Sequence, residues 1–224
     1  VLTVLTGMLV GAWHVVSGPD HLAALAPLTT ARGTEAPRDG AKIGLAWGLG
    51  HTGAVWLVGG LLLAFGSMVP LDGLGLWSER LVGLVLMGVG AWGLWRLRTP
   101  EDDAPDLDTQ TPGHADFDHA DFGHTHAAPR STRSALAIGF VHGLAGGSHL
   151  YGVLPALALV ADERLAYLGG FGLGSIVAMA WLAAILVSIV RRLPGSRATV
   201  RRWTLLATSV AALIIGALWF GLSW

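Results

Sequence analysis

Runs of about 20 or more mostly apolar residues recur along this chain, and each is long enough to cross a hydrocarbon core of roughly 30 Å at about 1.5 Å of rise per helical residue. Segments of that length inside lipid must satisfy their own backbone hydrogen bonds, which selects helices. The 224 residues are 53% hydrophobic and 13% charged, with a mean hydropathy of +0.59, too apolar for an ordinary soluble domain. The runs fall at about 2–30, 41–67, 74–97, 134–160, 165–190 and 203–223. The expected fold class is therefore an all-α polytopic membrane protein of about six transmembrane helices. No basic region precedes the first run, so it is read as a membrane helix and not as a cleaved signal peptide.

Between the third and fourth runs lies a polar stretch, 98–133, with eight acidic residues and four histidines. It holds too little apolar surface to offset its ordering entropy, so a flexible loop is expected there. Within it His114-Ala-Asp-Phe-Asp and His119-Ala-Asp-Phe-Gly repeat in tandem, followed by His124 and His126, which fits a solvated linker or a weak metal-collecting arm. Of the fourteen Lys and Arg residues, twelve flank the odd-numbered connections and only Arg80 and Arg164 flank the even ones. The positive-inside rule then puts the 98–133 loop in the cytoplasm and both termini outside, in a cytoplasmic (plasma) membrane. Trp77, Trp95, Trp203 and Trp224 sit near segment ends, where interfacial anchors belong.

An internal repeat organises the chain. Gly11, His14, Gly18, His21 and Leu22 align with Gly139, His142, Gly146, His149 and Leu150 at an offset of 128. The second helices match at Gly48-Leu49-Gly50 and Gly172-Leu173-Gly174, the third at Gly90-Ala91 and Gly216-Ala217. The expected domains are thus a first three-helix repeat (1–97), the loop (98–133) and a second three-helix repeat (134–224). Odd-numbered units enter the membrane in opposite senses, the inverted-repeat architecture of many secondary transporters.

The chemistry lies in the few polar groups inside the spans. Cysteine is absent, so any metal is held by nitrogen and oxygen. His14 and His21 are seven residues apart, the same face of an unbroken helix but about 10.5 Å along its axis, too far to share an ion. Ser17-Gly18-Pro19 stands between them, and proline both removes a donor and favours the first turn of a new helix. A break there can fold the pair together, and Gly146-Gly147 offers similar freedom between His142 and His149. Helices one and four are therefore expected to be broken. Asp20 is the only carboxylate well inside a span, where it costs several kcal/mol unless paired or hydrated. His51, in Gly-Leu-Gly-His-Thr-Gly-Ala, adds an imidazole at similar depth. The main metal site is expected from His14, Asp20 and His21 with His51 completing it, and His142 and His149 supplying the second half, where Ser148 stands in place of an acid. Taken singly, His51, His142 and His149 also fit helix-to-helix hydrogen bonding. Neither a phosphate-loop lysine nor a His-Glu-x-x-His helix is present, so no ATPase module or zinc hydrolase is expected.

With these residues placed, the chain resembles the nickel/cobalt transporter superfamily (NicO/NiCoT), in particular its six-span, urease-associated members. The family signature pairs a histidine with a downstream Asp-His, matched by His14 and Asp20-His21 in HVVSGPDHLAAL; Leu49-Gly50-His51 and the Gly139–Gly146 run with His142 match further hallmarks. Six residues separate His14 from His21, one more than usual in that signature, and many nickel/cobalt permeases have eight spans. The resemblance implies a non-enzymatic permease carrying Ni²⁺ or Co²⁺ as substrate, without ATP and without a prosthetic group, with selectivity at His14, Asp20, His21 and His51. Uptake is expected ahead of efflux. A cytosolic metallochaperone is an expected partner, and nucleic acid is not. The alternative is a haem-binding redox subunit using paired transmembrane histidines as axial ligands.

Overall fold

The computed structural model describes residues 1–30, 36–65, 71–98, 130–145 and 147–222, with the side chains at some helical positions, 147–151 among them, outside that description. Every regular element among these residues is an α-helix: α1 (Leu2–Ser17), α2 (Pro19–Thr30), α3 (Pro37–Phe65), α4 (Leu71–Arg98), α5 (Arg130–Ala145), α6 (Gly147–Leu157), α7 (Ala161–Arg192) and α8 (Arg197–Leu222). The ends of α7 and the C-terminus of α4 carry the charges that the backbone dipole favours. Asp162 and Glu163 open α7 while Arg191 and Arg192 close it, and Arg96 and Arg98 close α4. Nearly all of the expected 98–133 loop lies outside the described residues.

Among the described residues, three helical stretches are long and apolar enough to cross a membrane, Glu79–Arg98, Ala161–Arg192 and Arg197–Gly221, and the bent α1–α2 pair makes a fourth if it counts as one span. The outward faces suit lipid: Leu9, Trp13, Leu165 and Trp181 are all exposed.

The break expected in the first span is at Gly18, which adopts extended φ and ψ of −84° and 107°. Pro19 then opens α2 at the position where its missing N–H costs nothing, and the two axes meet at 70°. In the second half α5 ends at Ala145 and α6 begins at Gly147. The paired half-helices share a feature that the sequence reading did not use. Pro27 lies inside α2 and Pro155 inside α6, again 128 residues apart.

Glycines set the packing. A Cβ on Gly11 would strike the carbonyl of Phe171, and one on Gly174 the carbonyl of Met8, so α1 and α7 touch backbone to backbone. Between α5 and α3 the same relation recurs, with Gly139 against Trp47 O and Gly50 against Leu136 O. On α4 and α8, a Cβ on Gly90 would lie 2.7 Å from Ser209 O and one on Gly216 2.7 Å from Gly83 O. The main apolar core, with Leu25, Leu28, Trp47, Leu86 and Met179 all buried, fills the space between these seams and the half-helix α2.

Candidate metal centre

Five of the six expected ligands converge. His14 comes from the last turn of α1, Asp20 and His21 from the first turn of α2, His51 from the middle of α3 and His142 from the last turn of α5. Asp20, His21, His51 and His142 are buried, and His14 is partly so. The backbone of His149 belongs to α6, but its side chain and that of Ser148 lie outside the described residues.

The bend at Gly18 makes the convergence possible. On a straight helix His14 and His21 would be about 10.5 Å apart along the axis; here their ring centroids are 4.8 Å apart, edge to face. His51 lies 5.9 Å from His14 and 5.2 Å from His21, and His142 lies 5.5 Å from His21. Gly18 also makes room for the donors. A Cβ there would overlap His21 Nδ1 and stand 2.7 Å from Asp20 Oδ1.

Two three-ligand sets emerge, His14 with His21 and His51, and Asp20 with His21 and His142, the donor atoms of each lying within 4.8 Å of one another. Donors on an ion of zinc-like size sit about 3–4 Å apart, so closure of roughly 1 Å by side-chain rotation would complete either shell. His21 belongs to both, and its two ring nitrogens let it face either. His142 Nε2 lies 3.1 Å from Asp20 Oδ2, and His21 Nδ1 lies 3.6 Å from Asp20 Oδ1. When Nε2–H of His142 donates to the carboxylate, a cation between the two atoms would take the place of that proton. His142 stands beside Asp20 in the cluster, because the α3–α5 glycine seam carries the end of α5 against His51.

A cavity of about 400 Å³, bounded by Trp13, Ser17, Gly152 and Trp219, reaches His14, Asp20 and His21. On another flank Trp47, fully buried, stacks on His51 at 5.0 Å and 12° and lies 5.1 Å from His142 and 5.8 Å from His21. Phe171, also fully buried, is 5.6 Å from His14. The sequence reading missed both aromatics. A signal was there, since Trp47 precedes His51 by one turn and Phe171 follows Trp47 at the 124-residue offset of the second helices.

No family model matches the chain, and no solved structure does. It is 33% identical over 223 residues to the chloroplast protein FOR GROWTH AND FERTILITY 1 of Arabidopsis thaliana, an alignment covering 97% of this chain and 57% of that protein. Against FOR GROWTH AND FERTILITY 2 of the same plant, identity is 34% over 188 residues, 78% of this chain and 44% of the relative. The chain thus spans about half the length of these two proteins. It is also 26% identical over 182 residues to the urease accessory protein UreH of Bacillus sp. (strain TB-90), with 80% of this chain and 73% of that protein aligned. The chain, whose described regular elements are all helices, several of membrane length, and which carries a buried His/Asp cluster, is thus similar in sequence to a urease accessory protein along most of both lengths.

Proposed function

We propose that this protein is a secondary transporter that moves a divalent transition-metal ion, Ni²⁺ or Co²⁺, across a membrane. One observation carries the reading: four imidazoles and one carboxylate, drawn from four helices, meet around a helix break in a largely apolar interior. A cation makes that concentration of polar groups tolerable. Imidazole and carboxylate together suit borderline ions such as nickel and cobalt. The likeness to a urease accessory protein supports a nickel-related role. The two ligand sets sharing His21 give the ion two adjacent positions, one all-nitrogen and one bearing the carboxylate, both bordering the cavity that reaches His14, Asp20 and His21, with a ring flip of His21 linking them.

The six-span inverted repeat belongs to the same proposal. Three pairs of glycine contacts are images under the sequence offsets: Gly11 against Phe171 becomes Gly139 against Trp47, Gly174 against Met8 becomes Gly50 against Leu136, and Gly90 against Ser209 becomes Gly216 against Gly83. A pseudo-two-fold relation of this kind supports alternating access around a midplane site. The haem alternative has no observation in its favour, since rings packed 4.8–5.9 Å apart leave no slot for a macrocycle between them.

Sealed vesicles of known orientation, loaded with a metal-sensitive dye and offered Ni²⁺, Co²⁺, Mn²⁺ and Zn²⁺ in turn, test the proposal. Saturable, ATP-independent flux of Ni²⁺ or Co²⁺ that disappears in His21→Ala is expected. Flux of no metal by a correctly folded protein would defeat it.

A further inference from the structure

Each of the four imidazoles in the cluster rests against a buried aromatic ring, and one ring serves three of them. Trp47 lies nearly parallel to His51, at 5.0 Å and 12°, meets His142 at 5.1 Å and 48°, and stands edge to face with His21 at 5.8 Å and 80°. Phe171 takes the fourth, His14. The indole has little room to move. It is fully buried in the main apolar core, and a Cβ on Gly139 would overlap its backbone carbonyl, so α5 closes directly over the backbone from which the ring hangs. Packing alone does not call for tryptophan here. Its Nε1–H finds no hydrogen-bond partner among the described residues, a desolvation cost that a phenyl or aliphatic side chain would not incur. What an indole adds over those is a wide face with the strongest attraction for positive charge among the aromatic side chains. An imidazole that gives its lone pair to a divalent ion becomes electron-poor, so the stack of His51 on Trp47 is stronger with the ion bound than without it.

We propose that Trp47 is a positioning residue that sets the metal selectivity of the cluster, favouring Ni²⁺ over Zn²⁺, an inference that rests on the metal-site reading above. The intrinsic affinities of nitrogen and oxygen sites for these two ions are close enough that geometry decides between them. Zn²⁺ has no geometric preference of its own and gathers four donors tetrahedrally, about 3.3 Å apart at Zn–N distances of about 2.0–2.1 Å. Gathering donors that closely requires His21, His51 and His142 to turn together toward one point, and Trp47 stands against all three. Ni²⁺ accepts tetragonal shells of nitrogen and oxygen, which a set of imidazoles held in fixed planes beside Asp20 can supply without closing to a tetrahedron. Trp47 would thus act on the ion through the ligands, as an outer partner that fixes ring orientation.

The test uses the full chain in a neutral detergent, titrated by calorimetry with NiCl₂ and, separately, with ZnCl₂; the readout is the ratio of the two dissociation constants, which a merely structural role would not move. In Trp47→Leu the preference for Ni²⁺ over Zn²⁺ should fall at least about fivefold, with Ni²⁺ carrying most of the loss. Trp47→Phe keeps a smaller face against His51 and should lower the preference at least about threefold; it carries the test if Trp47→Leu elutes as an aggregate. Leu205→Ala, which opens the buried contact of α8 with Gly93 of α4, should lower the melting temperature and leave the ratio within about twofold of the parent. A smaller shift in whichever Trp47 variant elutes as the parent does overturns the inference, as does an equal shift in Leu205→Ala or a parent that binds neither ion. Flux in sealed vesicles decides the transport reading separately: a parent that carries Ni²⁺, with the ratio unchanged in the Trp47 variants, defeats this inference alone.

Discussion

Replacing Gly18 with alanine should weaken metal binding without unfolding the protein. The added methyl would overlap His21 Nδ1 and stand 2.7 Å from Asp20 Oδ1 and 2.8 Å from His21 Cε1. Ordinary contact begins near 3.4 Å, so Asp20 must retreat by about 0.7 Å and the His21 ring by more. Both side chains can rotate, so the fold absorbs the change, but the ligand atoms leave the positions that let three donors reach one ion. Misplacing a supporting group by about 1 Å typically costs one to two orders of magnitude at a preorganised site. Calorimetric titration of Ni²⁺ should show a Kd raised about 10- to 100-fold, equivalent to roughly 1.4–2.7 kcal/mol. Gly53→Ala is the matched control, because a Cβ there meets nothing within 4 Å, and it should leave Kd unchanged. A Gly18→Ala protein with the parent's melting temperature and a Ni²⁺ affinity within about twofold of the parent would refute the reasoning.

Other variants probe separate links. Asp20→Asn keeps the shape and removes the charge facing His142, so Ni²⁺ affinity measured by calorimetry should fall at least about tenfold; an unchanged value would take Asp20 out of the site. Gly174→Leu forces a side chain into the carbonyl of Met8 and should prevent assembly of α1 on α7, seen as loss of the monodisperse peak in size-exclusion chromatography, whereas Gly60→Leu, in open space, should elute normally. Trp47→Ala should lower stability by about 3–5 kcal/mol in denaturant titration through the cavity left beside three imidazoles, and Trp47→Phe by much less.

What could be read from the sequence was what stands out against an apolar background. Ser17-Gly18-Pro19 marks a break by local rules alone, since proline and its neighbour restrict only their own dihedrals and those next to them, and the structure bends there. His14, Asp20 and His21 were visible as a group because one break joins them. The contact between His142 and Asp20 was not, for the two are 122 residues apart and no periodicity encodes which helices pack together. Trp47 was hidden for a different reason: an aromatic residue in a membrane helix is unremarkable until its neighbours are known. Helix limits were legible to a few residues, as in α7, expected at 165–190 and observed at Ala161–Arg192. Charged first turns such as that of α7 continue a helix past the apolar run that betrays it.

The glycine seams join α1 to α7 and α3 to α5, so each half of the polypeptide finds its closest mates in the other half. Gly11 is made 160 residues before Phe171, and at synthesis rates of roughly 5–20 residues per second that is a delay on the order of ten seconds or more. Through that interval the nascent front portion sits in the bilayer with its buried aspartate still waiting for the histidine that will face it. Insertion of this chain is therefore a process that completes only at its end.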